Sequence, residues 1–497
     1  TPAGFDMHRR PAYGPMLGRP AYNNLVTFDI TKPENTRENI VGDLAERWEV
    51  SPDGKTWTFF LKGGVQWHDG KPFTADDVVY SLEKMVDSKR SSISSDFPAF
   101  ESAEKLTENA VEVQLTQPSP SFLVKLASAY AVIQPKHLAD VDWKSTDFMV
   151  GTGPFMLGSF KSGIEVNLVR NPDYFKKDEK GNQLPYLDGV KMTVMMDRSA
   201  EMDAYVTKKF DTTSTFAGIV NQEQLERVQS RAPEALSGDR YPAQGAILWL
   251  KKDYAPLSDI RVRQALALLV DQRKMRLAGY GGEDWGHYDF AYFYGGYGLY
   301  DGIGARQFHQ EMSWDKPWDD RVAEAKQLMK DAGYEKGFKL ELLTSTIPES
   351  QRMMALLGDM YERHLNIDVE IATAGYVDLR KKRNSGDFQI VVAEILTLMA
   401  EPDEVMGYFN SSSRTNFVGY SNKEVDRLGN EQAKTMDMHK RQLLTREIER
   451  LILHDRYAIP IGASHMKVGF HPHVKGFVIQ DLSYSAYMSY ERVWLAK

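Results

Sequence analysis

Between residues 320 and 394 the chain alternates between two periodicities, and few folds accept that pattern. Asp320–Ala332 carries apolar residues at helical spacing and is closed by Gly333. Phe338–Leu342 then alternates as a strand does. The order recurs: a helix is predicted over Glu349–Leu365, a strand over Ile367–Ile371, a short helix over Val377–Arg383 and a strand over Phe388–Ala393. Strands separated by helices cannot be joined by tight hairpins. They need crossovers, and crossovers give a mainly parallel sheet. Two further helices, over Lys423–Thr435 and His439–Leu453, precede strand-like runs at Ala458–Ile461 and Met466–Phe470. The class is α/β.

A chain of 497 residues exceeds one ordinary core, so two or three domains are expected. Lys and Arg total 61 against 69 Asp and Glu, a net charge of -8, which argues against nucleic acid as the main partner. With no cysteine, thiol catalysis, Cys-ligated zinc and disulfides are excluded. No apolar run approaches the roughly 18 residues of a membrane span. Thr1-Pro2-Ala3 reads as a start left by processing, with any lipid-anchoring cysteine removed.

Residues 1–41 read as a leading strand and helix. Gly42 to Met85 is a packing module. Ser51-Pro52-Asp53-Gly54 is turn chemistry, and Trp57, Phe59 and Leu61 alternate with Thr56, Thr58 and Phe60 as in a strand. Thr74 and Asp77 form a capping box, after which Val78, Val79, Leu82, Met85 and Val86 line a helix face. The order of residues resembles the dipeptide/oligopeptide/nickel class of solute-binding proteins that serve ABC importers (family 5, cluster C). That family carries "LAE.W..SPDG.TWTF.L..GV.WHDG.PFTA.DV.YS", which matches almost every position from Leu44 to Ser81. Three more matches follow in the family's order: Gly151-Thr152-Gly153-Pro154-Phe155 with the run to Asn171-Pro172-Asp173-Tyr174, then Pro256–Leu266, then Asn416–Asn422.

The resemblance implies a two-lobed periplasmic-binding-protein fold (type II) with an extra domain inserted in the first lobe. Lobe I takes residues 1–41, 159–248 and 471–497, the inserted domain 42–158, and lobe II 249–470. Gly151 and Gly153 are expected to free the backbone where a strand crosses between lobes. The implied function is capture of a peptide or peptide-like solute between the lobes, hinge closure, and delivery to a membrane permease. The protein is then a periplasmic or extracytoplasmic monomer that needs no cofactor and performs no covalent chemistry.

Catalytic signatures are weak. Ser81-Leu82-Glu83-Lys84 and Ser102-Ala103-Glu104-Lys105 satisfy S-x-x-K without a Lys-Thr-Gly partner. A glycosidase carboxylate pair stays open, as does a chaperone that holds long peptides on the same fold. His465, His471 and His473 could approach a metal, yet Pro472 interrupts them, and surface histidines are the plainer reading.

Candidate ligand contacts lie where the family pattern is followed least. Eight aromatics crowd a Gly-rich run at 285–300, Trp285 and Tyr292 among them. They build a small loop core or line a cleft by stacking. Peptide-binding members often read "W..D...P", the Asp neutralising the peptide α-ammonium. Aligned on Pro402, the Trp becomes Ile395 and the Asp becomes Leu398. A buried ammonium still needs a counter-charge. Glu394, Glu401 or Asp403 stands in, or the solute lacks the amine and is a sugar, an opine-like conjugate or an aromatic acid. The resemblance adds Tyr22, Tyr130, Asn416 and Phe417 as cleft-facing or simply packed.

Overall fold

The computed structural model describes residues 6–9, 18–141, 149–195, 197–214, 218–240, 244–282, 292–293, 303–396, 401–463, 466–480 and 490–496. The chain forms two compact units. Unit 1 takes Thr1–Gly218, Val228–Arg240 and Val468–Lys497; unit 2 takes Ile219–Arg227 and Tyr241–Lys467.

In unit 1, β1 (Val26–Phe28) pairs antiparallel with β2 (Ile40–Gly42). Among the described residues before 42, short 3₁₀ turns lie at Met7–Arg9 and Arg37–Asn39 and Gly18 is helical, while residues 10–17 lie outside the described residues. A four-stranded antiparallel sheet follows, built from β3 (Ala45–Val50), β4 (Thr56–Leu61), β5 (Phe100–Thr107) and β6 (Ala110–Leu115) in the order β3-β4-β6-β5. Trp57, Phe59 and Leu61 of β4 are buried, as the alternation requires. The helix Ala75–Val86 packs beside it, and Asp77 reaches back to the Thr74 N–H at 2.9 Å. The same carboxylate accepts from Trp67 Nε1 and from the Lys136 N–H. A third sheet is antiparallel β7-β8-β9 (Phe155–Lys161, Glu165–Arg170, Gly189–Thr193), and β10 spans Leu236–Arg240.

The motif segments interlock. His68 Nδ1 accepts from the Gly151 N–H at 3.2 Å, so Nε2 carries the proton and donates to the Gly153 carbonyl at 3.0 Å. That carbonyl also accepts from Asn171 Nδ2 at 3.0 Å, and Thr152 donates to Asn23 Oδ1 at 3.0 Å. Gly151 and Gly153 lie within unit 1, and close approach is what requires glycine there. A Cβ on Gly151 meets the Ala21 carbonyl oxygen at 1.8 Å, and one on Gly153 meets the Ala21 carbonyl carbon at 2.4 Å. This replaces the expected crossing between lobes.

Unit 2 is organised on a five-stranded sheet in the order β13-β12-β14-β11-β15: β11 (Gln244–Leu250), β12 (Lys339–Ser345), β13 (Asp368–Ala374), β14 (Ile390–Leu396) and β15 (Ala458–Ala463). β12 pairs parallel with β13 and β14. β11 is antiparallel to both its neighbours, so it alone opposes the others. Ile247, Leu248, Trp249 and Leu250 are each 0% exposed, as expected of a central strand covered on both faces. The crossover helices span Pro348–Leu365 and Tyr376–Ser385. They end on left-handed Asn366 (φ 56°) and Gly386 (φ 74°), the usual way to stop a helix and turn into a strand. No helix among the described residues is long and apolar enough to cross a membrane.

Two outcomes follow from this packing. Burial lowers the His68 pKa from 6.5 to about 4, with the Gly153 contact and Asp69 opposing. An unfolded chain therefore takes up a proton that the folded one refuses, and stability falls as pH drops from 6.5 towards 4. The loss should reach roughly 3 kcal/mol, and His68→Gln should flatten the acid slope of the denaturant midpoint. Gly153→Ala should cost about 1–3 kcal/mol by overpacking, read by chemical denaturation.

Candidate functional site

Parallel strands leave their carboxyl ends open, and in open α/β sheets ligands gather there. In unit 2, Ser345 of β12 is level with Ala374 of β13, and Leu342 of β12 with Ile390 of β14. Just past β12, the Thr346 N–H donates to the Ala374 carbonyl at 3.2 Å, and Glu394 lies near the carboxyl end of β14. Helices start from this edge at Pro348, Tyr376 and Pro402. Their unpaired N–H groups give it a positive partial charge. Ile347, Tyr376 and Val377, at the first two helix starts, are 54%, 71% and 76% exposed.

Glu394 is the carboxylate of this edge. Its side chain is exposed, and no ion pair or hydrogen bond engages it among the described residues. The surrounding protein nevertheless displaces enough water to hold its pKa above the ordinary carboxylate value, against the pull of Arg383. Glu394 is thus accessible yet closely surrounded by protein. It carries unspent capacity for a cation.

Glu401 and Asp403 are committed elsewhere. Arg441, 0% exposed, lies 2.7 Å from Glu401 Oε2 and 3.5 Å from Asp403 Oδ1. Gln432 donates to Asp403 Oδ1 at 2.8 Å and accepts from Arg441 Nε at 3.0 Å. These two acids neutralise a buried guanidinium on the helix Met438–Asp455.

The remaining predicted contacts scatter. Tyr292 is buried in the unit 2 core, its N–H donating to Glu449 Oε1 at 2.7 Å and its hydroxyl to the Ala458 carbonyl. Asn416 holds a turn: its Nδ2 donates to the Tyr420 carbonyl at 2.7 Å and its Oδ1 accepts from the Tyr420 N–H at 3.0 Å. Phe417 is half-buried, its ring 5.0 Å from Trp249, with the Arg383 guanidinium 5.0 Å from its centroid. In unit 1, Tyr22 is buried and Tyr130 half-buried against the same core cluster. Trp285 and Leu398 lie outside the described residues, as does His465. His471 is buried and bonds the Tyr205 carbonyl at 2.9 Å, and His473 meets Asp211 at 2.7 Å. No group of three or more metal-ligating side chains occurs among the described residues. The residues unremarked in the sequence are Ile347, Tyr376 and Val377. Their signal was an apolar residue just before, or first in, a predicted helix that follows a predicted strand.

The family model for bacterial extracellular solute-binding proteins, family 5, matches residues 39–417. The dipeptide-binding protein of Escherichia coli is 26% identical over 93% of this chain and 87% of its own length. Among solved structures, AgaA of A. tumefaciens with agropinic acid superposes with a TM-score of 0.80 at 22% identity, covering 100% of this chain and 97% of that one. OppA of Haemophilus influenzae with the peptide RPPGFSPFR gives 0.79 at 20%, covering 100% and 97%.

The two acid environments differ in a measurable way. Glu401→Gln leaves Arg441 short of an anion and should cost about 3 kcal/mol. The raised Glu394 pKa means that its ionisation opposes folding as pH rises through that value. Glu394→Gln should therefore leave the pH 7 melting temperature unchanged or raise it, as a thermal scan of the two variants will show.

Proposed function

This chain belongs to the bacterial extracellular solute-binding proteins, family 5, and from that premise we propose that it captures an amine-bearing peptide or peptide-like solute for an ABC importer. Glu394 carries this reading. It is the accessible, poorly solvated carboxylate at the open strand edge, and it takes the place of the family's missing aspartate as counter-charge to the ligand ammonium. The helix N-termini at the same edge suit the ligand carboxylate, and Ile347, Tyr376 and Val377 offer an apolar surface for its side chain. Capture needs no bond to be made or broken. The protein works outside the cytoplasm, as a monomer, and hands its solute to a membrane permease.

A second reading follows from the same edge. Three helix N-termini favour anions, and AgaA was solved with agropinic acid, so a solute recognised through its acid group is the competing ligand class.

Calorimetric titration with free and N-acetylated dipeptides separates the two. A charge-assisted hydrogen bond contributes about 1.5–3 kcal/mol, so acetylation or Glu394→Gln should each weaken binding roughly 10- to 100-fold. Their combination should cost little more than either alone. Affinity should also fall as acidification protonates Glu394. Equal affinity for free and acetylated peptides rejects the amine reading and favours the acid one.

A further inference from the structure

Unit 1 contains a pocket of about 440 Å³, lined among others by Arg19, Tyr22, Lys62, Phe175, Lys176 and Glu491. Its floor is an ion network. Lys176 Nζ lies 2.7 Å from Asp43 Oδ1 and 3.6 Å from Glu491 Oε1, and Arg19 lies 3.7 Å from Asp43 Oδ2. Asp43 is further held by Asn23 Nδ2 and the Asn24 N–H, both at 2.8 Å, and Glu491 accepts from the Tyr174 hydroxyl at 2.5 Å. Arg19 and Lys176 are thus matched by Asp43 and Glu491.

Lys62 is a lining cation that has no carboxylate partner of its own among the described residues. Its ammonium donates to the Asp43 backbone carbonyl at 2.6 Å, which brings no formal negative charge. Asp43, Lys176, Glu46 and Glu491 surround it, and burial is the main influence that lowers its pKa. Asp29 and Lys177 also line the pocket, but no carboxylate among the described residues pairs directly with Lys62, whose ammonium is answered only at a distance by Asp43, Glu46 and Glu491. Two buried polar atoms among the lining residues, Arg19 Nε and the Tyr22 hydroxyl, have no hydrogen-bond partner. The Phe175 ring is near both ammonium groups, with Lys62 6.0 Å and Lys176 5.9 Å from its centroid. Arg492 is bound to Glu179.

We propose that this pocket binds a small monocarboxylate with a flat apolar body, its carboxylate against Lys62 and its body against Phe175. A single carboxylate supplies the direct counter-charge that Lys62 lacks, whereas a dianion would be repelled by Asp43, Glu46 and Glu491. The volume has room for a ligand of benzoate size with space beside it. This site is built from unit 1 alone and does not depend on which solute unit 2 recognises.

The probes are benzoate, benzyl alcohol and inorganic phosphate, added to the full chain and followed by calorimetry and saturation-transfer NMR. Benzoate should bind saturably at one site, at least tenfold more tightly than the other two. It should do so equally in Glu394→Gln and in protein saturated with a dipeptide. Lys62→Met should weaken benzoate at least tenfold, Lys62→Arg should restore most of it, and Phe175→Ala should weaken it with benzoate's charge unchanged. Benzyl alcohol binding as tightly as benzoate in the unaltered protein overturns the proposal without any variant. So does phosphate outcompeting benzoate, an absence of saturable binding, or a Lys62→Met variant that binds as the parent does. Loss of benzoate binding in Glu394→Gln alone would assign the ligand to unit 2 instead and likewise overturn it.

Discussion

Taking a charge out of water costs several kcal/mol unless a counter-charge or hydrogen bonds replace the water. Both units are arranged around that cost. Asp43, 0% exposed, sits where the early motif segments of unit 1 meet, and Lys176 and Arg19 answer it from distant parts of the chain. Lys84 is likewise buried and meets Asp6 at 2.9 Å and Gln134 at 2.7 Å. Arg441 draws two acids towards it in unit 2. In that company Glu394 stands apart: accessible, poorly solvated and unengaged among the described residues. Such an unanswered charge is a better guide to ligand recognition than the acidity of a segment.

The helices and parallel strands of unit 2 were legible in the sequence because their periodicities are local. The helix predicted over Glu349–Leu365 spans Pro348–Leu365, and that over His439–Leu453 spans Met438–Asp455. The antiparallel insertion of β11 between β14 and β15 was not legible, because direction is chosen by non-local packing. The same limit governs the site. Glu394, Glu401 and Asp403 look equivalent in the sequence, and only Arg441, some forty residues on, separates them. The sequence left Tyr292 open between a loop core and a cleft lining, and Glu449 and the Ala458 carbonyl hold it in the core.

The interlocking of segments explains why the resemblance was easy to see and uninformative about ligand. His68 clamps Gly151 and Gly153, Asn171 shares the Gly153 carbonyl, and Asp77 joins Trp67 to the segment at Lys136. Each residue in such a set is constrained by several others, so its type reports on packing. Residues at an open strand edge escape that constraint and can follow the solute.

The division of the chain also sets the order in which the molecule can be completed. Unit 1 begins at the N-terminus but needs Val468–Lys497, and Glu491 of that last segment contacts both Lys176 and Tyr174. During synthesis the N-terminal part of unit 1 must wait, with Lys176 short of one carboxylate, while all of unit 2 is made. Closing so long a loop is slow, because its entropy is lost before the contacts that reward it form. Unit 2, nearly continuous from Tyr241 to Lys467, has no such delay. The final thirty or so residues therefore act as a latch on the part of the chain that was made first.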